Sequence, residues 1–123
     1  MAVEPHHVYV IPPNALMTIL KRRLALAPRL ERSVRNLPVD HFFQALAEDL
    51  ESRAIGVILS GTASDGTQGL RAIKAQRGVT FAQDQDSAQH PGMPLSAVAA
   101  GCVDFIMPPG RIALGLARMN DHP

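Results

Sequence analysis

Aromatic residues are scarce in this sequence, which has no tryptophan, one tyrosine and four phenylalanines among 123 residues. A surface that binds single-stranded nucleic acid needs aromatic side chains on which bases can stack. The formal net charge is only +1, so the composition provides no strongly basic face for a polyanion either. The composition therefore argues against nucleic acid as a partner.

Cysteine and long apolar runs are also rare. Cys102 is the single cysteine, so no disulfide can form within the chain, and its apolar surroundings predict a small buried side chain. No apolar run approaches the ~20 residues that span a bilayer. The start of the sequence lacks the basic segment and apolar core of a signal peptide. We expect a cytoplasmic protein with no membrane partner.

Motifs for a metal ion or a cofactor are missing as well. His6 and His7 are adjacent, but no cysteine, aspartate or second histidine pair stands near them at a ligand spacing. With 46% apolar and 19% charged residues, the composition is that of a globular protein. We expect one domain, residues 1–123, with residues 1–5 disordered and with no bound metal or cofactor.

The first part of the chain predicts extended elements followed by a basic stretch. Residues 8–11 predict a strand, and residues 16–20 and 24–27 predict a β-hairpin around a basic turn, although no Asn-Gly pair marks that turn. Three arginines continue the basic stretch. They indicate a solvated loop or, alternatively, a docking surface for an acidic partner: Arg29, Arg32 and Arg35.

A helix is predicted from residue 38, with Asp40 as its N-terminal cap. Its apolar residues recur at the spacing of one helical face, which predicts that this face packs on a core: Phe43, Leu46, Ala47 and Leu50.

Strands and helices alternate over the rest of the chain. Strands are predicted at residues 55–59, 79–83 and 103–107, each followed by a helix. The first of these strands is nearly all apolar, which is typical of a strand buried on both faces. Repeated β-α-β units imply parallel strands with right-handed crossovers. The predicted fold is α/β, a partial doubly wound, mostly parallel sheet with helices on both faces plus a β-hairpin near the N-terminus.

The loop after the first parallel strand is the candidate site, because ligands collect at the carboxyl ends of strands in such sheets. Its only charged residue is Asp65. One interpretation is structural, with Ser64 or Asp65 capping the following helix. A phosphate site is disfavoured, since neither G-x-x-x-x-G-K-[ST] nor G-x-G-x-x-G is present. A third interpretation is catalytic, because a carboxylate at a strand end can orient a histidine from elsewhere.

Three stretches together resemble a known family: VILSGTASDGTQGLRAIKAQRG, then FAQDQDSAQHPGMPLSAVAAG, then VDFIMPP. They look like the carboxyl-terminal half of the chemotaxis receptor methylesterase domain, the CheB family. The upstream PHHVYVIPPN resembles that family's G-H-x-Y-x-x-P-P strand, so the resemblance runs from about residue 5 to residue 116. The sequence is most similar to the versions of this domain found in large fusions of the methylesterase with the receptor methyltransferase.

The resemblance implies hydrolysis of glutamate methyl esters on chemoreceptors, and deamidation of receptor glutamines, by a Ser-His-Asp triad. Asp65 stands where the family has its triad aspartate, where it would hold the histidine in the correct tautomer. The surrounding site loop and a cleft-adjacent motif are carried over by the same resemblance: Gly61, Thr62, Ala63, Ser64 and Gly66 in the loop, and Gly92, Met93 and Pro94 beside the cleft.

This sequence departs from the family where catalysis is concerned. The family's nucleophile lies in Gly-x-Ser-Thr-Gly-Gly, which is absent here, and no histidine here matches the catalytic one. Many family members also have Met where Thr62 stands. We therefore expect a methylesterase fragment that is inactive alone and that self-associates as a homo-oligomer through its unpaired edge. The alternative is a non-catalytic remnant or docking module of a sensory fusion, with Asp65 serving only as a helix cap.

Overall fold

The structure is a computed structural model that describes residues 1–28, 37–61 and 64–120. The basic stretch of Arg29, Arg32 and Arg35 lies outside these residues. Among the described helices, none combines the length and the apolar character needed to cross a membrane.

An antiparallel hairpin, predicted from the sequence, is confirmed near the N-terminus. It pairs β1 (Ala15–Leu20) with β2 (Arg23–Pro28), and Leu20 lies opposite Arg23. The two residues of the turn, Lys21 and Arg22, both have positive φ, as a two-residue type I′ turn requires. The Asp49 carboxylate accepts hydrogen bonds from both of their N–H groups. A tertiary contact thus supports a turn that contains no glycine or asparagine.

The strand predicted at residues 8–11 is wrong. Val8 and Val10 are 91% and 82% exposed, and the segment is not paired with a strand. The pairing position beside β2 is taken instead by the first residues, where Ala2 forms an antiparallel bridge with Arg23. Residues 1–3, expected to be disordered, are therefore placed by backbone hydrogen bonds to the hairpin. β-Propensity alone does not form a strand where no neighbouring backbone is available.

The first helix, α1 (Pro38–Leu50), begins where the sequence predicts and is followed by a short 3₁₀ turn, Glu51–Arg53. Ala47 is buried, and Phe43, Leu46 and Leu50 pack beside it as expected. The prediction that Asp40 caps this helix is wrong. Leu37 occupies the capping position, and Asp40 is the third residue of the helix.

A parallel sheet follows, with strand order β3 (Ile55–Ile58), β4 (Val79–Gln83) and β5 (Phe105–Met107). Val57 pairs with Phe81, which in turn pairs with Phe105, the first residue of β5. Only the central strand β4 is buried along nearly its whole length. The expectation that β3 is buried on both faces holds at Ile58 but fails at the exposed Ile55, because β3 lies at the sheet edge.

Helices cover both faces of this sheet, which confirms the predicted α/β class. They are α2 (Thr67–Ala75), α3 (Gly92–Ala99) and α4 (Pro109–Asn120). The main core joins α1, α2, α3 and β3 and includes the buried Cys102. Phe81 lies outside that cluster, and its ring is 3.4 Å from the position a Cβ would take at Gly115 of α4. Since neighbouring residues of a strand face opposite sides, β4 contributes to both layers.

The N-terminal turns of α1 and α2 approach each other very closely. A Cβ built at Gly69 would lie 2.5 Å from Cβ of Phe43 and 3.2 Å from Cα of Asp40. Both atoms are close to the backbone of α1 and cannot move aside alone. The lack of a side chain at Gly69 therefore sets the distance between the two helices.

We predict that Gly69→Ala lowers the free energy of unfolding by about 1–3 kcal/mol, because the added methyl group overpacks the contact between α1 and α2. Gly110→Ala is the matched control, since no described atom lies within 4 Å of a Cβ built there. Urea unfolding of both variants measures the difference. Equal stability of the two variants would show that the helices can separate at no cost.

A polar contact joins α2 and β4 to Asp104, the residue before β5. Asp104 accepts hydrogen bonds from the Thr80 N–H and from Nζ of Lys74. Partial burial raises the pKa of this carboxyl, but the hydrogen bonds from Lys74 and Thr80 and the Lys74 charge outweigh burial, so the pKa is lowered overall from 3.8. A lowered pKa in the folded protein means that the ionised carboxylate stabilises the fold.

We predict that Asp104→Asn lowers the free energy of unfolding by about 1–2 kcal/mol at pH 7, because it weakens charge-assisted hydrogen bonds. The difference from wild type should shrink as the pH falls below 3.8 and through the lowered pKa of Asp104. Asp86→Asn, which removes the same charge from an exposed side chain, is the control. Urea unfolding across this pH range measures the effect, and a difference that is constant with pH contradicts it.

Candidate active site

The candidate site lies at the carboxyl end of β3, where residues 59–66 lead into α2. The loop that follows β4 lies beside it. The Gly61 N–H donates to the His90 carbonyl over 2.7 Å, and the Met93 N–H donates to the Gly61 carbonyl over 3.0 Å. The structure thus brings two of the sequence-predicted segments together, the glycine-rich loop and the Gly92-Met93-Pro94 start of α3.

Gly61 lies where these segments meet. A Cβ at this position would lie 2.5 Å from Sδ of Met93, so the thioether occupies the space that a side chain would need. Ser64 is exposed and Gly66 is buried at the start of α2. Thr62 and Ala63 lie outside the described residues.

Asp65 is half-buried, and the backbone of another helix holds its carboxylate. Oδ2 accepts the Val39 N–H over 3.0 Å, and Oδ1 accepts the Asp40 N–H over 2.9 Å. These donors belong to the first turn of α1, whose first residue, Pro38, has no N–H to satisfy. Asp65 therefore caps α1. The prediction that Ser64 or Asp65 caps α2 is wrong, because Gly66 is the capping residue of α2 and no side chain caps it from that position.

The N-terminus of α2 is capped in return by α1. Oδ1 of Asp40 accepts the Gly66 N–H over 3.0 Å and the Gly69 N–H over 2.7 Å, and the side chain is only 6% exposed. The loop that leads into α2 thus supplies the carboxylate that caps α1, and α1 supplies the carboxylate that caps α2. Gly66 has a φ of +103°, a conformation that glycine adopts without strain, and this lets its N–H reach Asp40.

Two neighbouring carboxylates are tolerated here because N–H groups surround them. The four hydrogen bonds all come from the first turns of α1 and α2, where the helix dipoles are positive. A carboxylate oxygen can accept about two hydrogen bonds. Among the described residues each Asp65 oxygen accepts one, so capacity remains for a further donor such as an imidazole N–H.

Gln83, the last residue of β4, supports the same loop. Its buried Oε1 accepts the Ser60 N–H over 2.8 Å, and its Nε2 donates to the carbonyl and Oγ of Ser87. The Ser60 Oγ in turn accepts the His90 N–H over 2.9 Å. These bonds fix the start of the site loop against the segment after β4.

Sequence reasoning missed the roles of Asp40 and Gln83 in the site. For Gln83 a signal was present, since a polar residue ends a predicted buried strand at the ligand-binding edge. For Asp40 the sequence shows a carboxylate near the start of α1, but it does not show that the N-terminus of α2 lies close enough to be capped by it. Among the described residues, no group of three or more metal-binding side chains is close enough to hold an ion.

A parallel sheet that carries a half-buried carboxylate at the carboxyl end of a strand defines an α/β domain with its site at the strand ends. The family model described as CheB methylesterase matches residues 1–116, and the chain belongs to this family.

Curated relatives share substantial identity but are longer. The chain is 46% identical over 120 residues to an uncharacterized 104.1 kDa protein of Rhodobacter capsulatus, covering 98% of this chain and 12% of that protein. It is 38% identical over 112 residues to protein-glutamate methylesterase/protein-glutamine glutaminase 2 of Vibrio vulnificus, covering 88% of this chain and 32% of that protein. The chain thus spans about a third or less of these relatives.

A solved structure shows the same fold. The catalytic domain of the Thermotoga maritima CheB methylesterase superposes with a TM-score of 0.83 at 27% sequence identity. The match covers 97% of this chain and 65% of that domain. The arrangement of the described elements is therefore that of a methylesterase catalytic domain over most of its length.

Proposed function

We propose that this chain is the carboxyl-terminal part of a protein-glutamate methylesterase domain and that Asp65 is the carboxylate of its Ser-His-Asp triad. The supporting observation is the environment of Asp65. The side chain sits at the carboxyl end of β3, is held by two N–H groups of α1 and is half-buried, and among the described residues each of its oxygens accepts only one hydrogen bond. A carboxylate that must orient a histidine needs this combination of fixed position and free acceptor.

The proposed reaction is hydrolysis of a glutamate methyl ester through an acyl-enzyme. The serine oxygen attacks the ester carbonyl while the histidine takes its proton, and Asp65 stabilises the resulting imidazolium. The imidazolium returns the proton to the methoxy group, and methanol leaves. Water, deprotonated by the same histidine, then cleaves the acyl-enzyme to release glutamate and restore the serine. Deamidation of glutamine follows the same path with ammonia as the leaving group.

The serine and the histidine must come from outside these 123 residues, since neither family motif occurs in the sequence. Consistent with this, the match leaves about a third of the Thermotoga maritima catalytic domain uncovered. The chain alone should be inactive, because without nucleophile and base no covalent route to ester cleavage remains.

The proposed substrate is a methylated chemoreceptor in the cytoplasm, since curated relatives are named protein-glutamate methylesterase/protein-glutamine glutaminase. A receptor methyltransferase domain in the same natural chain is a further part of the proposal. The 46% identical relative supports it, because a 104.1 kDa protein of which this chain matches 12% has room for other domains.

A second candidate function is a non-catalytic docking module of a sensory fusion protein. One observation favours it: both Asp65 oxygens already accept hydrogen bonds from α1. In a docking module Asp65 would serve only as this cap and would have no catalytic partner. Asparagine at the same position could still accept hydrogen bonds through its one amide oxygen.

An assay of methyl-ester hydrolysis on methylated receptor separates the two functions. We expect no activity from the 123-residue chain and activity from a form extended upstream through its natural coding sequence. Asp65→Asn in the extended form should lower kcat on the order of 10⁴-fold, because an amide permits the wrong histidine tautomer.

Asp49→Asn in the extended form is the control, since Asp49 also accepts two backbone N–H groups but does so at the hairpin turn. It should retain wild-type kcat. An extended protein that is folded yet inactive, or an Asp65→Asn variant with full activity, favours the docking module.

We also propose that the 123-residue chain self-associates. Leu59 beyond β3 and Phe105 and Ile106 on β5 are exposed at the two edges of the sheet. A groove of about 450 Å³ between the hairpin and α1 is lined almost entirely by apolar side chains, among them Met17, Phe42 and Leu46. Unpaired strand edges and large apolar surfaces promote association.

We predict a homodimer or larger homo-oligomer of the 123-residue chain, measured by size-exclusion chromatography with light scattering. The contribution of the exposed edge strand β5 to self-association is tested with Ile106→Lys. This substitution should increase the fraction of monomer, because a charged strand edge resists pairing with another chain. Leu114→Lys adds the same charge at an exposed position of α4 and is the control. A clean wild-type monomer contradicts the prediction.

A further inference from the structure

We infer that Asp40 is a positioning residue for the proposed reaction and that it acts through Asp65. The inference rests on the proposed function, because it concerns the placement of the same triad carboxylate. Asp40 itself would touch neither the substrate nor the histidine.

The geometry links the two aspartates in both directions. The Asp40 backbone N–H donates to Oδ1 of Asp65 over 2.9 Å. The Asp40 side chain accepts the N–H of Gly66, the residue that follows Asp65, over 3.0 Å. The peptide on the carboxyl side of Asp65 and the carboxylate of Asp65 are thus both tied to one residue of α1.

A third bond makes this link rigid. The same Asp40 oxygen accepts the Gly69 N–H over 2.7 Å, so it holds the whole first turn of α2 against α1. Gly69 allows this contact because its missing side chain lets the Asp40 Cα come close. Without the Asp40 side chain, the Gly66 and Gly69 N–H groups lose their acceptor and the loop that carries Asp65 is released at one end.

Small displacements of this kind matter for rate more than for binding. A shift of about 1 Å in a catalytic group can cost on the order of 10²-fold in rate. Since Asp40 is 6% exposed, it has no surface with which to bind a receptor. Its removal should therefore lower kcat and leave KM unchanged.

The test uses the extended, active form of the protein and two substitutions of Asp40. Asp40→Ala removes the acceptor and should lower kcat on the order of 10²-fold at constant KM. Asp40→Asn should stay within about fivefold of wild type, since both bonds to the side chain use one oxygen, and an amide retains one acceptor oxygen. The contrast with Asp65 is diagnostic, because there the amide is expected to fail.

A double-substitution cycle shows whether Asp40 acts through Asp65. In the Asp65→Asn background, Asp40→Ala should cause no further loss of kcat, since the group that it positions is already absent. The acid limb of the pH profile of kcat/KM should also move to lower pH in Asp40→Ala, because a displaced carboxylate stabilises the imidazolium less. Asp49→Ala is the control and should change neither quantity, since Asp49 lies at the other end of α1.

Each outcome decides the inference. Wild-type kcat in a folded Asp40→Ala variant, or an equal loss of kcat in the wild-type and Asp65→Asn backgrounds, overturns it while the proposed function stands. Full activity of Asp65→Asn overturns the proposed function and this inference together. Circular dichroism melts of all variants identify any that do not fold. If Asp40→Ala does not fold, Asp40→Asn is compared with wild type instead. A large loss of kcat at constant KM in Asp40→Asn also overturns the inference.

Discussion

The described site depends on the mutual capping of two helix N-termini, those of α1 and α2, by the carboxylates of Asp65 and Asp40. Helix N-termini carry N–H groups without internal partners, and burying them unpaired is costly. Here Asp65 satisfies Val39 and Asp40, and the Asp40 carboxylate satisfies Gly66 and Gly69. Because the cap of α1 lies in the loop next to α2, and the cap of α2 lies in α1, a shift of either helix would expose donors in both. The proposed triad carboxylate is held as a consequence of this mutual capping.

The central strand provides the second constraint. β4 is bonded on both sides, and its last residue, Gln83, ties the loop after β3 to the segment after β4. The central strand is thus hydrogen-bonded to the loops at the end of the sheet where the site lies, while β3 and β5 are edge strands with exposed apolar residues. The same arrangement of elements covers 65% of the Thermotoga maritima catalytic domain.

Much of the fold could be predicted because local signals agreed with tertiary structure. Apolar runs, helical periodicity and turn or start signals predict the hairpin, α1, the parallel strands and the helices that follow them. The family resemblance is confirmed by the match to residues 1–116. The strand at residues 8–11 failed because strand formation depends on a neighbouring backbone, which no local pattern specifies. The role of Asp40 is misassigned for a similar reason: an aspartate near the start of a helix favours a cap of that same helix, whereas here the start of a second helix lies within reach of its side chain.

The sequence by itself determined which candidate site residues are present and which family motifs are absent. It identified Asp65 as the single charge in a strand-to-helix loop and showed that the family's serine and histidine motifs are missing, since both facts depend only on residue identity and order. Tertiary structure alone decided what holds Asp65. Its hydrogen bonds to Val39 and Asp40 connect residues 25 or 26 positions apart. Contacts over such separations depend on how closely two helices pack, here on the missing side chain of Gly69, and no local pattern encodes that distance.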